Sequence, residues 1–279
     1  MRTHWTELPA AVRRGVTARC GGVTHVRDLP YGSASDCVAV LGTAAGPPVF
    51  IKAVRVADHR AAMHRNEARI VPLLPTGIAP ALRAVVEVDG WLVLLFDHHD
   101  GRHLDLSPGT ADLPLLAAAL AGAAERLTGC AIPVLPMGRR WAGRVVPELV
   151  AGDTVAHTDV SPRNFLVRGT QVVLVDWATP GRGPAWIDTA LVACRLVRAG
   201  HRPSQALAWA EGVAPWKAAD PAVVAEVLHG VADIWRRREH AAPAPHRAEL
   251  VAATLDLVDF LRPGHRRCGH STDVRCTVG

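Results

Sequence analysis

Apolar and polar positions follow two different periods along this chain, and the change falls near residue 101. Before it the pattern is strand-like. Residues 37–41 form a short β-prone run, a Gly/Pro-containing turn follows, and residues 49–56 return as a second run, which predicts a hairpin with a longer loop. Residues 85–88 and 91–96 flank Asp89-Gly90, a dipeptide suited to a tight hairpin turn. Between the two pairs, residues 58–74 switch to helical periodicity, with Asp58 placed to cap them. The first hundred residues therefore read as strands plus one helix.

After Gly101 the period is mostly helical. Leu113, Leu116, Leu120 and Leu127 recur at helical spacing in residues 112–127. Asp220-Pro221 supplies a cap and a proline at the first helical position, ahead of Val224, Val227, Leu228 and Val231. Residues 250–261 give a last helix. One β-island interrupts this half: residues 164–167 and 172–175 around a turn at 168–171. Residues 264–279 are polar and are expected to form a loosely ordered tail.

Composition narrows the class. At 279 residues the chain is long enough for one large domain or two lobes. The apolar stretch at 91–96 is far too short to span a bilayer, and residues 1–9 lack a signal-peptide core. Six scattered cysteines suit reduced thiols, so a cytoplasmic location without membrane partners is expected. The net charge of +5 suits anionic ligands such as nucleotides. Arg236 to Arg238 is the one run of three basic residues, a solvated helix face rather than a nucleic-acid groove. Cys268, His270 and Cys276, with His265, do not match a common zinc-finger spacing. The chain otherwise uses arginine almost throughout, with lysine only at 52 and 217 and asparagine only at 66 and 164. Against that background, a Lys or Asn at a motif position carries more weight.

The chemistry concentrates between His157 and Asp176. Asp159, Asn164 five residues later, and Asp176 after a short hairpin form a compact set of oxygen ligands. Phosphoryl transfer needs such a set: one carboxylate to orient and deprotonate an acceptor hydroxyl, and an amide with a second carboxylate to hold Mg²⁺. A capping aspartate beside an unrelated hairpin explains each residue singly, but not the three together.

His157-Thr-Asp159 through Asn164-Phe-Leu-Val, then Leu-Val-Asp176-Trp177 and Ile-Asp188-Thr-Ala, resembles the aminoglycoside phosphotransferase family, distant relatives of protein kinases. The family typically has His-Gly-Asp, so Thr158 replaces a usual glycine; Gly183-Pro184-Ala185 stands where an acidic residue is common. The resemblance implies Asp159 as catalytic base, Asn164 and Asp176 as magnesium ligands, and structural roles for His157 and Asp188.

The front half adds support. Strand alternation puts Lys52 on the same face as Phe50 and Val54, where an ammonium needs an anionic partner. Glu67 shares a helical stripe with Met63, Ile70, Val71 and Leu74, where an unpaired carboxylate is costly. A Lys52–Glu67 pair satisfies both and aims the lysine at phosphate. Gly32, Ser33 and Ser35, expected ahead of the first strand, are candidates to cover phosphates. Residues 97–101 resemble the family's hinge, with backbone groups near Asp97 and His99 facing a purine edge.

The expectation is an α+β, protein-kinase-like bilobal fold: an N-lobe of antiparallel sheet plus one helix at 1–96, a hinge at 97–101, and a helical C-lobe at 102–263. ATP (or GTP) and Mg²⁺ would bind between the lobes. The acceptor would be a small hydroxylated molecule, favoured as an antibiotic (an aminoglycoside or a hydroxylated peptide) and so conferring resistance. From residue 104 on there are 17 Asp/Glu against 19 Lys/Arg, no bulk acidic excess for a polycationic acceptor. A metabolic kinase acting on choline, homoserine or a sugar shares the same motifs, and a non-catalytic nucleotide-binding module is the rival of another class. A monomer or weak dimer is expected.

Overall fold

The computed structural model describes residues 3–30, 32 and 34–262; Ser33 and the Cys/His-containing tail lie outside these. Two compact units emerge. The first comprises residues 1–104, 125–134 and 157–181, and the second 105–124, 135–156 and 182–279.

The first unit is built on a five-stranded antiparallel sheet in the order β1-β2-β3-β5-β4. Its strands are β1 (Val23–Asp28), β2 (Cys37–Thr43), β3 (Val49–Arg55), β4 (Leu82–Val88) and β5 (Trp91–Asp97). Alternation divides its residues cleanly. Cys37, Ala39, Leu41, Val49, Ile51, Ala53, Val93 and Leu95 face one side and pack with Val12, Val16 and Cys20 of α1 (Ala10–Cys20). Val38, Val40 and Phe50 face the other, alongside Lys52, which stands level with Val38 and Leu94 on its neighbouring strands. The Asp89-Gly90 turn forms as expected, both residues at positive φ (52° and 73°), with Val88 opposite Trp91. The expected helix is α2 (Ala61–Ile70), extended by a 3-10 turn to Leu73; Asp58 sits in the turn before it and accepts the Arg60 N–H.

Two elements depart from the sequence expectation. Helix α1 is a second helix of this half, and it covers the sheet with a narrow stripe at four-residue spacing, Val12, Val16 and Cys20. Strand β1 precedes β2, so the loop holding Gly32 joins two strands instead of leading into the first. β1 is an edge strand with a largely exposed surface, and edges carry little hydrophobic alternation.

The β-island is the hairpin of β8 (Phe165–Arg168) and β9 (Gln171–Leu174), joined on the β8 side by β6 (Arg102–His103). The second unit is largely helical. It holds most of α3 (Asp112–Leu127), then α4 (Met137–Arg140), α5 (Ile187–Arg198), α6 (Pro203–Glu211), α7 (Pro221–Ala241) and α8 (Pro245–Leu261), with a short pairing of β7 (Thr154–Ala156) and β10 (Gly181–Gly183). The Asp220 side chain accepts the Ala222 N–H at 2.8 Å, capping α7 with Pro221 behind it. The indole of Trp209 donates to Leu113 O and the His201 ring pairs with Leu106 O, tying α6 and its entry to the segment around α3. Among the described residues, no helix is long and apolar enough to cross a membrane.

Candidate active site

Lys52, Glu67, His157, Asp159, Asn164 and Asp176 all belong to the first unit, although 124 residues separate Lys52 from Asp176. The paired lysine expected from strand and helix periodicity is present. Lys52 Nζ donates to both Glu67 carboxylate oxygens, at 2.8 and 3.0 Å, and to Asp176 Oδ1 at 3.1 Å. It also lies 5.6 Å from the Phe96 ring centroid.

Burial sets the electrostatics. Glu67 is 3% exposed and Lys52 13%, so each ion is costly without the other. Desolvation works against the Lys52 charge, but Glu67 and then Asp176 outweigh it and hold the ammonium above its ordinary pKa. Burial pushes the Glu67 carboxyl up, opposed by Lys52 and by a hydrogen bond from the Trp177 backbone N–H. Asp176 is held below the usual carboxylate range, first by the Lys52 charge, and its side chain keeps 34% exposure. It is therefore an accessible anion at neutral pH.

The residues of the 157–164 loop are fixed through main-chain atoms. The His157 ring is almost fully buried, sits 4.6 Å edge-on from Trp177, and donates from Nε2 to Val175 O at 2.9 Å. Its Nδ1 is then the acceptor for the Asp159 N–H at 3.3 Å. Asn164 donates from Nδ2 to Asp159 O at 2.8 Å, while its own backbone carbonyl accepts from Val175 N–H at 2.8 Å across the β8–β9 hairpin. That hairpin brings Asn164 and Asp176 to one edge. With the amide nitrogen committed to Asp159, the Asn164 oxygen is the atom left to meet a cation. An amide oxygen and an accessible carboxylate fit Mg²⁺, which keeps most of its shell as water and phosphate oxygen. Among the described residues, no cluster of three or more His, Cys, Asp or Glu forms a separate metal site.

The remaining expected residues lie as follows. Gly32 is exposed at φ +100° and accepts the Ser35 N–H, while the buried Ser35 hydroxyl is turned to α2, 3.0 Å from His64 Nε2. His64 Nδ1 meets Arg60 O at 3.1 Å, and burial lowers the pKa of this imidazole. Asp97 is paired with Arg83 through its side chain, and its N–H donates to Ala81 O. His99 Nε2 is buried without a hydrogen-bond partner, and the His99 carbonyl accepts from Gly101 N–H. Asp188 stands in the first turn of α5, in the second unit.

Three neighbours escaped the sequence reading: His64, Asn66 and the Thr158 hydroxyl. Asn66 donates to Ala178 O at 2.9 Å, and Thr158 Oγ1 donates to Thr179 O at 2.7 Å. The scarcity of asparagine was the one available signal for Asn66.

No protein-family model and no curated protein matches the chain. Solved structures do match. A thermostable mutant of aminoglycoside phosphotransferase APH(4)-Ia, in ternary complex with AMP-PNP and hygromycin B, aligns at TM-score 0.60 and 10% identity, covering 92% of this chain and 100% of that one. The amicoumacin kinase hAmiN, in complex with AMP-PNP, Ca²⁺ and Ami, aligns at TM-score 0.56 and 11% identity, covering 90% and 95%. Macrolide 2′-phosphotransferase MphH from Brachybacterium faecium aligns at TM-score 0.53 and 18% identity, covering 86% and 96%. The shared feature is the α+β, protein-kinase-like fold, with its antiparallel N-terminal sheet and helical C-terminal part.

Proposed function

We propose that this chain is a nucleotide-dependent O-phosphotransferase that phosphorylates a hydroxyl group of a small molecule, with an antibiotic as the favoured acceptor. The observation that carries this reading is the Lys52–Glu67–Asp176 ion cluster set beside the Asp159–Asn164 loop. A buried lysine neutralised by two carboxylates, one of them solvent-accessible, is costly as scaffolding but well suited to gripping a phosphate chain.

In this reading Asp159 orients the acceptor hydroxyl and takes its proton as the oxygen attacks the γ-phosphorus. The bond to the β-phosphate oxygen breaks in line, and ADP leaves. Lys52, aimed by Glu67, contacts the phosphates. Asn164 and Asp176 would hold Mg²⁺, which when bound neutralises charge on the phosphate oxygens. His157 keeps the loop in place through Val175 and Asp159. The loop at Gly32 and Ser33 and the backbone near Asp97 and His99 complete the nucleotide side, while Ser35, buried against His64, stands apart from it. No covalent intermediate on the protein is required; positioning and charge neutralisation supply the rate.

ATP is the proposed donor, with GTP as the alternative to be compared directly. The relatives in fold crystallised with AMP-PNP beside hygromycin B or Ami support an adenine nucleotide and an antibiotic acceptor. The test is acceptor-stimulated ADP release with MgATP. An antibiotic panel is run against choline, homoserine and simple sugars. Stimulation by an antibiotic class, abolished by EDTA, is the expected outcome. Stimulation by a metabolite alone moves the assignment to a metabolic kinase, and nucleotide binding with no stimulation by any acceptor argues for a binding module.

A further inference from the structure

The segment that carries Asp176 is held on both sides by side chains that donate to its carbonyls, at 174 and 175 before it and at 178 and 179 after it. Trp177 Nε1 reaches Leu174 O at 3.0 Å and His157 Nε2 reaches Val175 O at 2.9 Å. Asn66 Nδ2 then reaches Ala178 O at 2.9 Å, and Thr158 Oγ1 reaches Thr179 O at 2.7 Å. The last two are long-range: Asn66 spans 112 residues and comes from α2, one position before Glu67. Arg69 donates to Asn66 Oδ1 at 2.9 Å, which fixes the amide so that its nitrogen faces Ala178.

Thr158 reaches its partner at a conformational cost. Among the described residues only Asp89, Thr158 and Asp176 adopt positive φ without being glycine. Aspartate tolerates the left-handed region, and Asp89 sits in a hairpin turn that calls for it. Thr158, at φ +67°, is β-branched and belongs to the class for which this region is most strained; glycine would occupy it freely. What the threonine side chain supplies in return is the hydroxyl bond to Thr179. Asp176 itself stands at φ +68°, so its carboxylate direction depends on how the chain on either side is pinned.

We propose that Asn66 and Thr158 are positioning residues, a pair of clamps on the adjoining carbonyls of Ala178 and Thr179 that hold the Asp176 carboxylate where the metal–nucleotide complex is received. The proposal rests on the phosphotransferase reading above. It gives both the strained threonine and Asn66, the other of the chain's two asparagines, a function.

The test uses Thr158→Ser, Thr158→Gly, Thr158→Val and Asn66→Ala in the full chain. Three quantities are followed: melting temperature, Mn²⁺ affinity in the presence of AMP-PNP by electron paramagnetic resonance, and kcat once an acceptor is known. Thr158→Ser keeps the hydroxyl and should stay within about threefold of the parent in Mn²⁺ affinity. Thr158→Gly, Thr158→Val and Asn66→Ala should each weaken Mn²⁺ binding by about 10-fold, the low end of the effect of removing a direct partner of a metal ligand, because both bonds act on carbonyls beyond Asp176. Thr158→Gly should do so without a fall in melting temperature, because releasing left-handed strain offsets the lost hydrogen bond. That split separates positioning from simple structural support.

Parent-like Mn²⁺ affinity in Thr158→Gly, with binding intact in the parent, overturns the clamp and leaves the phosphotransferase reading standing. A loss of affinity that merely tracks a loss of melting temperature across the series also overturns it. Failure of the unsubstituted protein to bind Mn²⁺ with either AMP-PNP or GMP-PNP overturns the phosphotransferase reading and the proposed role together.

Discussion

Replacing Asp159 with alanine is expected to lower kcat by about 10²–10⁴-fold, the usual contribution of a positioned general base, while ATP affinity stays within about threefold of the parent. The structure gives a reason to expect so clean a separation. The bonds linking Asp159 to His157 and to Asn164 use its main-chain N–H and carbonyl, at 3.3 and 2.8 Å. An alanine keeps both, so the loop and the Asn164 amide stay in place while the carboxylate is lost. Steady-state kinetics with nucleotide titration measures the two quantities separately. Equal losses in turnover and nucleotide affinity would mean that Asp159 supports the site instead of acting on the acceptor.

The second large effect is on stability as well as rate. Lys52→Met leaves the Glu67 carboxylate 97% buried without its ammonium partner, the situation in which breaking one side of a buried pair costs about 3–5 kcal/mol. For a chain of this size that corresponds to a fall in melting temperature of at least about 6 °C. Turnover should fall to background, since the cation proposed to contact the phosphates is gone. The double variant Lys52→Met/Glu67→Leu removes both buried charges and should regain most of the melting temperature but none of the activity. Calorimetry and turnover on the same samples check this. Recovery of activity in the double variant would show that the pair serves only the fold.

Much of this site is legible in the sequence because its chemistry is local. Asp159, Asn164 and Asp176 lie within 18 residues, and a hairpin readable from its turn folds Asn164 and Asp176 to one edge. Lys52 and Glu67 are legible for a different reason. Each places a charge on an apolar face, which the periods of strand and helix expose, and the ion pair between them is present at 2.8 Å. Asp176 completing that cluster was not foreseen, because contact across 124 residues leaves no trace in either local pattern.

The same limit explains the other omissions. Asn66 to Ala178 and Thr158 to Thr179 are side-chain bonds to carbonyls, and any residue supplies a carbonyl, so the acceptor end has no sequence signature. Helix α1 leaves a weak sequence signal because its buried positions, Val12, Val16 and Cys20, are interleaved with Arg13, Arg14, Gly15 and Arg19, which dilute the apolar stripe. Gly21 at φ +73°, whose N–H bonds to Thr17 O, ends that helix and was the available boundary signal. Strand β1 leaves no alternation in the sequence because an exposed edge strand needs little apolar surface. Sequence position makes Ser35 a loop hydroxyl open to phosphate, whereas the structure buries it against His64, a loop–α2 link visible only in three dimensions.

The central claim is that a phosphoryl group passes from the nucleotide to a hydroxyl beside Asp159. Its most direct test is mass spectrometry of an antibiotic panel incubated with MgATP and the protein, with Asp159→Ala run in parallel. The account predicts one acceptor class gaining the mass of a single phosphoryl group with the parent protein, and the same product formed about 10²–10⁴-fold more slowly with Asp159→Ala. The same phosphorylated product at equal rates from both proteins would contradict it.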